Sequence, residues 1–282
     1  MVKVGLVQCS VDADRGKNLE KIVRLTEESI ANGAQIICHH ELATSPYFCI
    51  EQDIRHFAAA ESIPGHTTEL MGQIAKKSGV VIIVCLFEKA MEGEFYNTAV
   101  VLGTDGKVIG KYRKTHIPLI ESSDGENVYE KFYFRPGNLG FPVFNTPFGV
   151  KFGIITCYDR HFAETGRMVA LGGAEVLFVP SATAGVTTKF WEVELQFHAI
   201  TNVMYVCGVN RVGKDTGIST SREHMGGTLA VNYRGEIMAQ AGNERDEIVY
   251  GELDLEQLRE FRSYCGYYRD RRPSIYAAIC RE

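Results

Sequence analysis

At 282 residues, 45% of them hydrophobic and 23% charged, the chain is long enough and apolar enough for one sizeable core, with no apolar run that would span a bilayer. A formal net charge of −5 gives no broad basic field for phosphate backbones, so neither nucleic acid nor membrane is an expected partner. Eight cysteines lie scattered without a CxxC, mostly in apolar runs such as Val84-Cys85-Leu86, and Met1 to Gln8 carries no export signal; both point to reduced thiols and a cytoplasmic protein.

Val2 to Gln8 reads as a first strand, and Leu19, Ile22, Val23 and Ile30 give helical spacing to Lys17 to Ala31, which stops at Asn32-Gly33. Ala34 to Cys38 is a second, buried strand. A helix from about Thr67 to Lys77 leads through Ser78-Gly79 into Val80 to Phe87, an unbroken apolar run suited to the middle of a sheet. Thr98 to Leu102 and Lys107 to Tyr112, joined by Thr104-Asp105-Gly106, predict a hairpin. Glu121 to Asn127 is polar and glycine-bearing, the composition of a mobile loop beside a site.

The second half repeats the alternation. Strand Lys151 to Thr156, helix Glu164 to Leu171, strand Glu175 to Val179, helix Phe190 to Asn202 and strand Met204 to Asn210 follow in turn. Thr228 to Val231, Glu236 to Gln240 and Glu247 to Leu253 read as strands, and Asp254 to Phe261 as a capped helix. No linker interrupts residues 1–282, so one α/β domain is expected, with an aromatic and basic tail from about Arg262. Phe261, Tyr264, Tyr267, Tyr268 and Tyr276 in and before that tail suit packing either on the chain's own core or on a partner subunit.

Three segments turn polar at the end of an apolar or hairpin strand, where α/β sheets present ligand-contacting groups: His40-Glu41-Leu42, Tyr112-Arg113-Lys114-Thr115-His116 and Ile155-Thr156-Cys157-Tyr158-Asp159. A thiol attacks only after losing its proton, so Cys157 needs a base, a role Glu41 suits. An ammonium at Lys114 and the backbone N–H of Tyr158 would hold the oxyanion of a tetrahedral intermediate. Singly, each of these residues is as well explained by packing, a strand-end cap or surface charge.

As a set they resemble the nitrilase superfamily, and the resemblance runs from Val4-Gly5-Leu6-Val7-Gln8 to Arg271-Arg272-Pro273-Ser274-Ile275-Tyr276. It implies a four-layer α-β-β-α sandwich that pairs through its sheets as a homodimer or higher homo-oligomer. It also implies a triad with Glu41 as base, Lys114 as oxyanion stabiliser and Cys157 as nucleophile, joined by Glu130 from Glu130-Lys131-Phe132-Tyr133-Phe134-Arg135-Pro136-Gly137. Many relatives have proline where this chain has His40. His39, His40, His116 and His161 lack metal-ligand spacing and read as packing or hydrogen-bonding residues, so neither a metal nor another cofactor is expected.

Arg160, three residues beyond Cys157, is the clue to substrate: a guanidinium there would bind a carboxylate through two parallel hydrogen bonds. The stretch Cys157 to His161 resembles enzymes that hydrolyse N-carbamoyl amino acids and β-ureidopropionate, as do Gly137 to Phe144, Pro180 to Thr183 and Asn210 to Gly213. Glu130 to Phe134 is closer to the N-carbamoylputrescine amidases. The expected substrate is therefore a small N-carbamoyl amino acid such as N-carbamoyl-β-alanine, cleaved to amino acid, carbon dioxide and ammonia. The alternatives are an N-carbamoylputrescine amidase or other aliphatic amidase, and a non-catalytic interaction protein that keeps the fold. An ion pair from Arg160 to Asp159 or Glu164 is the bland alternative for that residue.

Overall fold

Two six-stranded sheets organise the computed structural model, which describes residues 1–121, 127–217 and 220–281. The first takes β1 (Val2–Gln8), β2 (Ile36–His39), β3 (Val81–Met91), β4 (Glu94–Leu102) and β5 (Val108–Arg113), side by side in that order. After a small ribbon of β6 (Leu119–Ile120) and β7 (Val128–Tyr129), the second sheet takes β8 (Val143–Asn145), β9 (Lys151–Ile154), β10 (Val176–Ser181) and β11 (Tyr205–Asn210). A second ribbon, β12 (Val212–Thr216) with β13 (Ser221–Met225), precedes β14 (Leu229–Val231) and β15 (Ile237–Gln240), which complete that sheet beyond β11. The chain then returns to the first sheet, where β16 (Glu247–Leu253) lies antiparallel to β1.

The unbroken apolar runs arise because both faces of these strands are covered, so period-two alternation sends successive side chains into different cores. Along β3, Val81, Ile83 and Cys85 face a core shared by the two sheets, together with Phe152, Ile154 and Phe178 from the second sheet. Their neighbours Ile82, Val84 and Leu86 pack with Ile22 and Leu25 of α1 (Arg15–Ala31) and Met71 and Ala75 of α2 (His66–Ser78). A short α3 (Glu130–Tyr133) follows β7, and then α4 (Ala163–Leu171) and α5 (Trp191–Asn202) cover the outer face of the second sheet through Val169, Leu195 and Ala199 against Leu177, Val179 and Val206. The layers are thus α-β-β-α, as expected. Asp254 caps α6 (Leu255–Tyr264) as expected, accepting from Gln257, while α1 starts two residues earlier than the expected Lys17, capped by Asp14, which accepts from the N–H groups of Gly16 and Lys17.

The predicted β4–β5 hairpin is present, but β4 starts earlier, and its longer pairing with β3 across Glu92-Gly93 had no clear signal. On β3 beyond Glu88, Ala90 and Met91 are exposed, so the end of that strand has no core to impose alternation. Strand β8 and the two ribbons, two to five residues each, are too short for periodicity to reveal. In the loop 121–127, residues 122–126 lie outside the described residues. The tail is partly docked on its own chain: Phe261 and Tyr268 pack on the core and Arg262 donates to the carbonyls of Val203 and Ala174, while Tyr264, Tyr267 and Tyr276 are exposed.

Candidate active site

Glu41 follows β2, Lys114 follows β5 and Cys157 stands just beyond β9, so both sheets contribute to one cluster at their strand ends. Lys114 is its centre. Its Nζ lies 2.8 Å from Glu41 Oε1 and 2.7 Å from each carboxylate oxygen of Glu130, and all three side chains are shut off from solvent. Glu130 Oε1 also accepts from the hydroxyl of Tyr47 at 2.6 Å, and Glu41 Oε1 from Asn97 Nδ2 at 2.7 Å. Glu41 Oε2, equally buried, has no hydrogen-bond partner. One oxygen of Glu41 is therefore fixed in place while the other remains able to take a proton.

Charge balance in the cluster follows from burial. Burial alone would lower the lysine's affinity for its proton, but the carboxylates of Glu130 and Glu41 outweigh it and hold Lys114 well above its usual range. Glu130 is pushed up to about 7 by burial and by the nearby Glu41, with Lys114 pulling in the opposite direction. Burial and the Glu41 charge push the Cys157 thiol up to about 11 against the pull of Lys114 and Arg160. A thiol pushed up in this way would need a general base, rather than a preformed thiolate, in order to attack.

The backbone is under strain where the chemistry would occur. Cys157 has φ 46° and Leu42, next to Glu41, φ 51°, values costly for residues with a Cβ. Asp159 secures the first turn: it accepts from the Thr156 N–H, the Tyr112 hydroxyl, and the N–H and Nδ1 of His116, linking the nucleophile turn to the segment just after Lys114. On the other side of Lys114, Gly137 donates its N–H to the lysine's carbonyl, and a Cβ there would meet Arg113 O at 2.0 Å, so only glycine fits.

In front of Cys157 lies a cavity of about 200 Å³ whose walls include Tyr47, Glu130, Tyr158, Arg160 and Arg222. The predicted acidic partners of Arg160 are otherwise placed: Asp159 is engaged as above and Glu164 is exposed. Its Nε instead lies 2.9 Å from Glu194 Oε2 on α5, and its Nη1 donates to the Cys157 carbonyl at 3.0 Å. His161 Nδ1 lies 2.5 Å from the other Glu194 oxygen. The guanidinium is almost wholly buried and Nη2 has no hydrogen-bond partner.

The other three histidines singled out in the sequence have local partners: His39 the hydroxyl of Thr26, His40 the thiol of Cys9 and the Glu41 carbonyl, and His116 Asp159, with its ring stacked on Phe162. Tyr47, Asn97, Asp159 and Glu194 were not identified as site residues from the sequence. Only Asn97 left a trace there, as an amide entering an apolar strand.

Comparison with known proteins shows the family. The sequence matches the family described as carbon-nitrogen hydrolase over residues 3–263. It is 36% identical to an N-carbamoylputrescine amidase of Solanum lycopersicum, over 99% of this chain and 95% of that protein. It is 33% identical to a citrullinase of Francisella tularensis, over 100% and 99% of the two chains. Among solved structures, a carbon-nitrogen hydrolase from Helicobacter pylori superposes with a TM-score of 0.92 at 32% identity, covering 100% of this chain and 99% of that one.

Proposed function

The chain belongs to the carbon-nitrogen hydrolase family, and from that premise we propose that it hydrolyses the ureido group of a small N-carbamoyl amino acid resembling N-carbamoyl-β-alanine. The observation carrying the choice is Arg160, which lines the cavity that Cys157 opens into and whose buried Nη2 has no hydrogen-bond partner. Glu194 holds one edge of the guanidinium, leaving Nη2 to meet a substrate carboxylate. Among the described residues lining the cavity the only acid is Glu130, already engaged by Lys114, so none of them offers a free carboxylate to a cationic substrate. A second reading, the hydrolysis of N-carbamoylputrescine, is favoured by the 36% identity to the Solanum lycopersicum enzyme.

In the proposed reaction Cys157 Sγ attacks the ureido carbonyl while its proton passes to Glu41 Oε2. Lys114 and the Tyr158 N–H carry the oxyanion. Collapse expels ammonia, which takes up the proton from Glu41, and leaves a thiocarbamate on Cys157. Water, deprotonated by Glu41, then attacks the thiocarbamate, the Cys157 thiol is restored, and the released carbamic acid breaks down to carbon dioxide and the amino acid. Glu130, bonded to Lys114 and Tyr47, orients the lysine and the cavity wall. None of these steps calls on a cofactor.

The test is a comparison of kcat/KM for N-carbamoyl-β-alanine and N-carbamoylputrescine in the wild-type and Arg160→Lys proteins. The reading expects the anionic compound to be preferred by wild type, and the substitution to raise its KM by about tenfold through loss of a charge-assisted hydrogen bond. A preference for N-carbamoylputrescine that survives Arg160→Lys would overturn it in favour of the second reading.

We also propose that copies of the chain associate through a helical face. Among the described residues each sheet face is covered by helices or by the other sheet. Val193, Phe197 and Ile200 instead form an exposed apolar stripe on α5 beside Met168 and Leu171 of α4. Sedimentation is expected to give a dimer or larger for wild type and a shift toward monomer for Phe197→Glu; a wild-type monomer at micromolar concentration would refute the association.

A further inference from the structure

Arg211 is fully buried just after β11 in the second sheet, yet its guanidinium reaches the loop that follows β2 in the first. Its Nη2 donates to three carbonyls of that loop, Glu41 at 2.9 Å, Leu42 at 2.7 Å and Ser45 at 3.0 Å. Its Nη1 pairs with Asp215 at 2.5 Å. Asp215 in turn accepts from the backbone N–H of Tyr47 at 2.8 Å and lies 3.1 Å from His224 Nε2. Both halves of the segment 41–47 are therefore tied to one buried arginine–aspartate pair, its carbonyls to the cation and its far N–H to the anion.

That segment carries much of the site. It begins with Glu41 and ends with Tyr47, whose hydroxyl supports Glu130, and it includes the left-handed Leu42. A bulky residue adopts that backbone only when its surroundings over-determine it, and two of the three carbonyls bound by Arg211 flank the Leu42 turn on either side of its φ and ψ angles. The planar fork of an arginine spans Asp215 and the three carbonyls at once, whereas the single ammonium of a lysine cannot. We propose that Arg211, anchored by Asp215, is a positioning residue for the hydrolysis: it fixes the loop so that Glu41 Oε2 stays where Cys157 releases its proton. The proposal concerns the family reaction and does not depend on which amide is the substrate.

The test reads proton removal at Cys157 without a substrate. Methyl methanethiolsulfonate is attacked by Cys157 Sγ, which forms a disulfide to the methylthio group as methanesulfinate leaves and the thiol proton passes to Glu41. Labelling of each cysteine is followed by peptide mass spectrometry near pH 7, with exposed Cys280 as reference and buried Cys38, Cys85 and Cys207 as reporters of loosened packing. Arg211→Lys is expected to slow Cys157 labelling by about 10- to 100-fold, as misplacement of a catalytic group by about 1 Å does, with Cys280 unchanged and the buried cysteines still silent. Asp215→Asn is expected to slow it by about tenfold, and it decides the question if the lysine variant does not fold. Cys157 labelled at the wild-type rate, or slowing that appears only together with labelling of the buried cysteines, would overturn the positioning role.

Discussion

Cys157→Ala is expected to lower turnover by about a millionfold, the loss seen when a hydrolase is left without its nucleophile, while shifting Tm by no more than about 2 °C. The two outcomes separate because the role proposed for the thiol is chemical. Cys157 is partly exposed to the cavity, and burial and the Glu41 charge push its thiol up to about 11, away from the thiolate that an ion pair would need. The backbone at φ 46° is as unfavourable for alanine as for cysteine, and the Asp159 contacts that hold the turn remain. Ammonia release by the variant at the wild-type rate would make the cluster a structural relic and favour the reading of a non-catalytic protein that keeps the fold.

Lys114→Met is expected to damage stability and catalysis together. The methionine fills a similar volume but leaves Glu41 and Glu130 buried with no cation between them, a loss on the order of 3–5 kcal/mol when one partner of a buried pair is removed. Turnover is expected to fall by about a thousandfold or more, since the oxyanion loses its charged donor and the base its anchor. The loss of stability should depend on pH with a definite sign. Glu130 already stands at about 7 against an ordinary 4.5, and without Lys114 it rises further. A carboxyl raised in the folded state contributes stability that is full below its unfolded value and is lost as pH rises through the folded one. Thermal melts of the variant should therefore recover toward wild type near pH 5 and fall furthest behind near pH 8. A deficit independent of pH would mean that the two carboxylates do not depend on the lysine.

Much of this architecture was legible because burial on two sides leaves a strong mark. Val80 to Phe87 reads as an unbroken apolar run since alternate residues fill two different cores, and the three polar strand ends are visible as abrupt changes at the ends of strands. The contacts that make those ends a site were harder to see. Asp159 and Glu164 are the near acidic neighbours of Arg160 in sequence, but Asp159 is committed to Tyr112, His116 and Thr156, and the true partner, Glu194, arrives on α5 only through the packing of that helix on the second sheet. Tyr47 and Arg211 likewise act across the boundary between chain segments that no local pattern joins. The identity of a catalytic group is written locally, whereas the residues that aim it are chosen by tertiary contact.

The most direct test of the central claim is to quench the wild-type protein with acid during turnover of N-carbamoyl-β-alanine, N-carbamoylputrescine and a simple aliphatic amide, and to weigh the peptide bearing Cys157. A covalent thiocarbamate or thioester on that peptide with at least one of them, absent before mixing and lost as substrate is consumed, is the predicted result. Continued ammonia release with the Cys157 peptide unmodified, and release at the same rate from Cys157→Ala, would contradict the assignment of Cys157 as nucleophile.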